Sequence, residues 1–309
     1  MTQSAFDTAN HDDYPTRLPA EKWQERKDPV VWGNWTPEAP LTRAQTESFE
    51  KNGYLVLKDV FSPAEVAALQ KESAHMRSGE AKIAEDNVIT EPGSNEVRTV
   101  FRLDEENALF ARLASDRRIA GAVSFLLDDE VYLHQSRLNY KPGFTGKEFY
   151  WHSDFETWHA EDGMPRMRAI SASILLTDND ALNGPLMLMP GTHKNFIACA
   201  GETPEDNHKT SLKKQEIGVP SHDALTKMAK EHGIDYASGK AGTVVLFDCN
   251  TMHGSNGNIT PFPRSNAFFV YNAWSNRVVQ PFAAKNPRPA FLSSRDPKGP
   301  ISIETGKIG

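Results

Sequence analysis

The sequence predicts a mainly β protein with flanking helices, built on an antiparallel barrel or jelly-roll core. Two observations carry this. From residue 130 onward, the runs VYLHQSRLNYK, MRAISASILLTD, GPLMLMP, GTVVLFD and NAFFVYNAW are rich in strand formers. They are separated by turn-forming stretches such as DNDALNGP, PGTHK and NGNITPFPR, the cadence of antiparallel sheets.

The elements follow in order. Residues 1–40 contain Pro15, Pro19, Pro29, Pro37 and Pro40 among many charges and read as an irregular arm. Residues 41–309 read as a single domain. Thr42 can cap a helix over 43–51, which Asn52-Gly53 ends. YLVLK is a short strand, and Ser62-Pro63 opens a second helix because proline is preformed for the first turn. Residues 104–127 read as broken helix. The segment 199–240 interrupts the strand cadence with long polar, partly helical sequence and is expected to cover the barrel mouth as a lid.

Bulk properties narrow the function classes. The chain has 309 residues, 39% hydrophobic and 24% charged, as expected of a soluble globular enzyme. No apolar run reaches the roughly 18 residues of a membrane span, and the polar, acidic start lacks the pattern of a signal peptide. A cytoplasmic location is expected. Net charge is −7, without the basic stripe of a nucleic-acid binder; KTSLKK at 209–214 reads as a solvated loop. Cys199 and Cys249 are expected to be free thiols, too few for a disulfide framework or a cysteine-rich zinc site.

Chemistry concentrates in FYWHSDFETWHAEDGMP, residues 149–165. If it begins as a strand, His152, Asp154, Tyr150 and Glu156 share one face, and Phe149 and Trp151 the other. His152 and Asp154 can then reach one metal ion, with His253, just beyond a late strand, as third ligand. Two histidines and a carboxylate form the facial triad of non-haem Fe(II) oxygenases; the same set can hold catalytic zinc. A lone strand histidine is usually a core residue, and HxD alone is a weak signal. Arg264 tips the balance, because an oxygenase using 2-oxoglutarate needs a cation for the distal carboxylate, and arginine grips carboxylates bidentately. Ser255 can add a hydrogen bond. His159 is expected at a surface turn or behind the site, His134 and His193 as structural, and Glu161 and Asp162 as solvated loop acids.

The HxD…His…Arg pattern, the LTRAQTESFEKNGYLVL opening and NGPLMLMPGTHK resemble the phytanoyl-CoA dioxygenase superfamily. FYWHSDFETWHAEDGMPRMRAISASILLTDN and DDYPTRLPAEKWQERKDPVVW resemble its ectoine-hydroxylating branch; together the likeness runs over about residues 13–296. The resemblance implies a double-stranded β-helix (a cupin-like jelly roll), a homodimer, and Fe(II), 2-oxoglutarate and O₂ in the hydroxylation of the solute ectoine to 5-hydroxyectoine. By motif it implies iron on His152, Asp154 and His253. It implies 2-oxoglutarate on Asn139, Phe149, Ser255 and Arg264, and Gln135 near both small molecules. Ectoine would meet Thr157, Trp158, Ala169, Phe247 and Phe268. Ectoine is a zwitterion with an amidinium-like ring, and a desolvated aromatic face holds such a cation by about 2 kcal/mol. Rival readings are a hydroxylase of another small molecule such as proline, a zinc hydrolase, and a solute-binding protein without turnover.

Overall fold

The computed structural model describes residues 12–91, 93, 96–212 and 215–309; the first positions of the arm and Lys213 and Lys214 of the KTSLKK run lie outside them. Within the arm, β1 (Lys22–Glu25) is a short strand. Helix α1 (Arg43–Asn52) starts at a capping box, in which Thr42 and Gln45 satisfy each other's backbone N–H groups. It ends at Gly53, whose φ of 79° suits the left-handed cap; a Cβ there would lie 2.4 Å from His193 Nδ1, so the position requires glycine. Strand β2 (Tyr54–Leu57) follows, and α2 (Pro63–Arg77) repeats the capping box at Ser62 and Glu65 with proline in the first turn.

Two short strands, β3 (Val88–Thr90) and β4 (Val97–Phe101), precede the broken helical region: α3 (Leu103–Glu106), α4 (Ala108–Ala114), a π-turn, and α5 (Ala122–Leu127). The strand-rich half contains β5 (Val131–Lys141), β6 (Phe149–His152), helix α6 (Asp154–Thr157), β7 (Ala169–Leu175), β8 (Leu186–Leu188) and β9 (Asn195–Ala198). Helices α7 (Asn207–Ser211) and α8 (His222–His232) lie in the segment expected to interrupt the cadence. Strands β10 (Asp235–Tyr236), β11 (Val244–Asp248), β12 (His253–Ser255) and β13 (Arg264–Ala273) complete the chain.

Among the described residues the strands form a seven-stranded antiparallel sheet, β2-β11-β7-β13-β5-β4-β3, and a four-stranded sheet, β10-β8-β12-β6. The large sheet has two unlike faces. Leu138, Tyr140, Ile170, Ile174, Leu246, Phe269 and Tyr271 face the helices and join Leu69, Leu113 and Leu126 in the main core. Each such side chain contributes about 1.5–3 kcal/mol by leaving water. Register sets the opposite face: Arg264 pairs with Lys141, Asn266 with Asn139, Phe268 with Arg137 and Val270 with Gln135. Ser173 and Ser171 continue the same rows on β7. A largely polar inner face is expensive to bury unless its groups meet partners or a ligand. Here it lines the site.

A pair missed by the sequence reading ties the arm to the body. Strand β1 pairs antiparallel with β9, although the segment reads as irregular because its polar KWQE does not alternate. Tyr14 is fully buried between Phe155 and Phe196, so the arm packs directly behind the chemistry-rich motif.

Candidate metal centre and cleft

His152 and His253 face each other across the small sheet as a register pair of β6 and β12, their rings 4.3 Å apart. His152 Nδ1 contacts the Tyr150 carbonyl at 2.6 Å, and His253 Nδ1 contacts the Thr251 carbonyl at 2.9 Å. Donating there leaves each Nε2 lone pair free for a metal, the usual outer hydrogen bond of a ligating imidazole. Both Nε2 atoms point at Asp154, 3.6 Å from Oδ1 and 3.8 Å from Oδ2. The three ligand atoms lie within 4.8 Å of one another. Burial, then His152, holds His253 at about 4, so its ring is neutral at neutral pH. Burial raises the Asp154 pKa, but His253, His152 and Arg137 outweigh it and keep the carboxylate ionised. A neutral imidazole and a carboxylate are the donor forms a divalent ion requires.

Strand alternation is not what brings Asp154 to the ion. The strand stops at His152, and Ser153 caps a helix by accepting from Glu156 N, with its own hydroxyl donating to Asn250. Asp154 is therefore the first residue of α6. Glu156, expected beside His152, turns away to Arg17. A β-bulge also corrects Phe149. Three residue steps on β6 (Phe149 to His152) oppose two on β12 (His253 to Ser255), so Phe149 pairs with Ser255 while His152 pairs with His253. Bulges of this kind re-aim side chains beside functional sites.

Beyond Phe149 lies a cationic corner. Arg264 is 3% exposed, its Nε has no partner, and burial lowers its pKa to about 10, which leaves it charged. Its register partner Lys141 donates to Ser255 Oγ at 2.9 Å and to the Lys147 carbonyl at 3.0 Å. Burial, then Arg264 and Arg98, pulls Lys141 down to about 6. Arg98 lies 4.0 Å over the Phe149 ring. A buried guanidinium with an unpaired nitrogen, beside a lysine amine that an incoming carboxylate would help to protonate, calls for an anion. In the sequence Lys141 looks like an edge lysine at the end of a strand; only its pairing with Arg264 reveals it.

A cleft of about 120 Å³ opens beside the triad, and its lining includes Gln135, Asn139, Phe149, His152, Asp154, Thr157 and Trp158. Thr157 Oγ1 is buried without a partner, Gln135 Nε2 donates to the Leu292 carbonyl, and Asn139 Oδ1 accepts from Thr99. Phe247 packs its ring 4.9 Å from His253, and Arg137 lies 4.9 Å over Phe268. Ala169 is in the buried cluster with Trp158, and Phe247 and Phe268 share another; none of the three is among the residues lining the cleft. The cleft also takes in Arg137, Glu161, Asn207 and Arg288, for which no role was expected.

Two expectations for the motif are overturned, and a third, for His159, resolves to a place behind the site. Glu161 and Asp162 are not solvated: the first binds Arg17, and the second binds Arg288 and His134. His159 is not at the surface. It is fully buried, stacked 4.0 Å from Phe282 and bonded to Asp12 and the Met164 carbonyl. The cause is common to all three: residues 158–162 continue α6 as a π-helical turn ending at Gly163, so acids that resemble a loop are enclosed by a helix and by arginines from distant segments.

The model of the phytanoyl-CoA dioxygenase family (PhyH) matches residues 49–266. The chain belongs to this family. Within the family it is 54% identical over 296 residues to the ectoine dioxygenase of Sphingopyxis alaskensis, covering 96% of this chain and 97% of that one. It is 52% identical to the ectoine dioxygenase of Halomonas elongata, covering 91% and 86%. The crystal structure of EctD from S. alaskensis with 2-oxoglutarate and 5-hydroxyectoine superposes with a TM-score of 0.89 at 50% identity, over 97% of this chain and all of that one. The same protein with bound Fe gives 0.88 at 49% identity. The fold of this family member is thus the jelly roll of its phytanoyl-CoA dioxygenase relatives.

Proposed function

We propose that this chain is an Fe(II)- and 2-oxoglutarate-dependent dioxygenase that hydroxylates ectoine to 5-hydroxyectoine, releasing succinate and CO₂. The observation that carries the reading is one metal corner placed between two unlike walls. One wall is a buried arginine with a lysine beside it, suited to a dicarboxylate, and the other is aromatic with both a carboxylate and a guanidinium along it. The relatives' names and the ligands of the S. alaskensis structures support the same substrate and cofactors.

His152, Asp154 and His253 would hold the iron, which with 2-oxoglutarate and O₂ supplies the oxidising chemistry. Arg264 and Lys141, with Ser255 and Asn139, would hold the far carboxylate of 2-oxoglutarate, and Phe149 would pack along its chain. Trp158 would give the substrate ring an apolar face, with Phe247 and Phe268 beyond the present lining of the cleft, and Gln135 and Thr157 would be its polar contacts. Ala169 supports Trp158 from behind. Arg288, which lines the cleft and whose Nη1 bonds to no described residue, would meet the substrate carboxylate. The 199–240 segment would act as the lid, since Asn207, Ser211, Leu212 and Ile217 line the cleft; by covering it they exclude water from the reacting carbon. The reading extends to a cytoplasmic homodimer in osmotic-stress solute synthesis; two free buried thiols suit a reducing compartment.

The test is anaerobic reconstitution with Fe(II), followed by O₂ and 2-oxoglutarate with or without ectoine, products being read by mass spectrometry. 5-Hydroxyectoine and succinate should form in equal amounts, and Asp154→Ala should form neither. Activity with zinc and without O₂ would establish a hydrolase instead, and ectoine binding without turnover a solute-binding protein. Sedimentation at micromolar concentration checks the dimer.

A further inference from the structure

Helix α6 and the π-turn after it run on without interruption, so Asp154, Trp158 and Glu161, four and three residues apart, fall on one face toward the cleft. Asp154 belongs to the metal corner and Trp158 to the ring wall; Glu161 has no part in either. Its side chain is 3% exposed. Oε1 accepts from Arg17 Nη2 at 3.1 Å and from Asn207 Nδ2 at 2.8 Å. Oε2 accepts from no described residue.

The neighbouring cations are committed elsewhere. Arg17 is the cation beside Glu161, and it grips Glu156 with both Nε (2.7 Å) and Nη2 (2.9 Å). One guanidinium thus serves two buried carboxylates. Arg288 commits Nε and Nη2 to Asp162 and forms no ion pair with Glu161. With no protein donor on Oε2 and Glu161 among the residues that line the cleft, this oxygen stands open for a cationic N–H from whatever fills it.

We propose that Glu161 determines specificity, accepting through Oε2 a ring N–H of the amidinium of the zwitterionic substrate. This inference rests on the ectoine reading above and adds the group that would tell ectoine from a neutral ring. Trp158 offers a face to the same cation, and Glu161 sets the ring's orientation by a directed, charge-assisted bond. Arg17 and Asn207 act as positioning residues that fix the carboxylate's rotation.

The experiment is calorimetric binding to the anaerobic enzyme loaded with Fe(II) and 2-oxoglutarate. The two ligands are ectoine and a lactam acid of the same ring size in which a neutral amide replaces the amidinium. Glu161→Gln should weaken ectoine by at least 30-fold and the lactam by less than 3-fold, with 2-oxoglutarate affinity unchanged. Equal losses for both ligands would show a structural role and overturn the proposal, as would an unchanged ectoine affinity. Should the variant fail to fold, Glu161→Asp takes its place: it keeps the charge but withdraws it from the ring, so a loss for ectoine at least 10-fold greater than for the lactam supports the proposal, and equal losses overturn it. Wild type that does not bind ectoine refutes the proposed function itself. Wild type that hydroxylates ectoine, with Glu161→Gln binding it equally well, refutes only the role of Glu161.

Discussion

Replacing Arg264 with alanine separates the cosubstrate corner from the metal corner. Arg264 is buried with an unpartnered Nε, and its Nη1 donates across 3.2 Å to Asn266 when that amide presents its oxygen. The guanidinium is thus oriented before any ligand arrives, and little conformational freedom is lost on binding. A hydrogen bond to a charged group contributes about 1.5–3 kcal/mol net. Taking about 3 kcal/mol for a fork that shares one charge pair, the loss is roughly 140-fold in affinity. Lys141 tempers this. Its pKa of about 6 reflects burial first and then repulsion from Arg264 and Arg98. Removing Arg264 lifts part of that repulsion, the pKa rises, and more of Lys141 is charged at pH 7. The single variant should therefore lose somewhat less than 140-fold, and Arg264→Ala/Lys141→Met should lose more than the two single losses combined. The assay is the 2-oxoglutarate KM from succinate release at saturating ectoine, with iron affinity measured separately by chelator competition. A KM change below threefold, or a parallel loss of iron, would refute the assignment.

Two further predictions concern the frame around the site. Arg17→Met leaves Glu156 and Glu161 without their shared cation, so unfolding free energy should fall by about 3–5 kcal/mol; a loss below 1 kcal/mol in urea unfolding would mean the arm is not structural. His193 is held at about 4, mainly by burial, against an ordinary 6.5. Its folded form prefers the neutral ring, so its contribution is complete above pH 6.5 and is lost as pH falls from 6.5 to 4, by roughly 3 kcal/mol in all. Unfolding midpoints across that window should slope less in His193→Gln than in wild type, and identical slopes would exclude His193 as the source.

Much of the frame was legible because it is written in local chemistry. Thr42 with Gln45, Ser62 with Glu65 and the glycine after Asn52 act within one helical turn, so their effect can be read from neighbours in sequence. The run VYLHQSRLNYK coincides with β5 residue for residue, although the strand is buried on both faces rather than alternately. Strands β1, β3, β4 and β9 were not legible; they are short, and pairing with distant segments stabilises them rather than their own composition.

At the site, the sequence by itself determined which groups could carry chemistry: the His152 and Asp154 pair, a late histidine, and an arginine in the following strand. Residue type and spacing decide that much, since only such side chains bind a divalent ion or a carboxylate. The tertiary structure alone decided how they meet. A helix cap at Ser153, not strand alternation, delivers Asp154 to the two histidines. A bulge between β6 and β12 turns Phe149 toward Ser255. Cross-strand register makes Lys141 the neighbour of Arg264. The acids at 161 and 162 resemble a solvated loop in sequence, and arginines 17 and 288, more than 120 residues away, make them buried. Burial and charge compensation depend on groups brought close by folding, and sequence distance carries no record of that proximity.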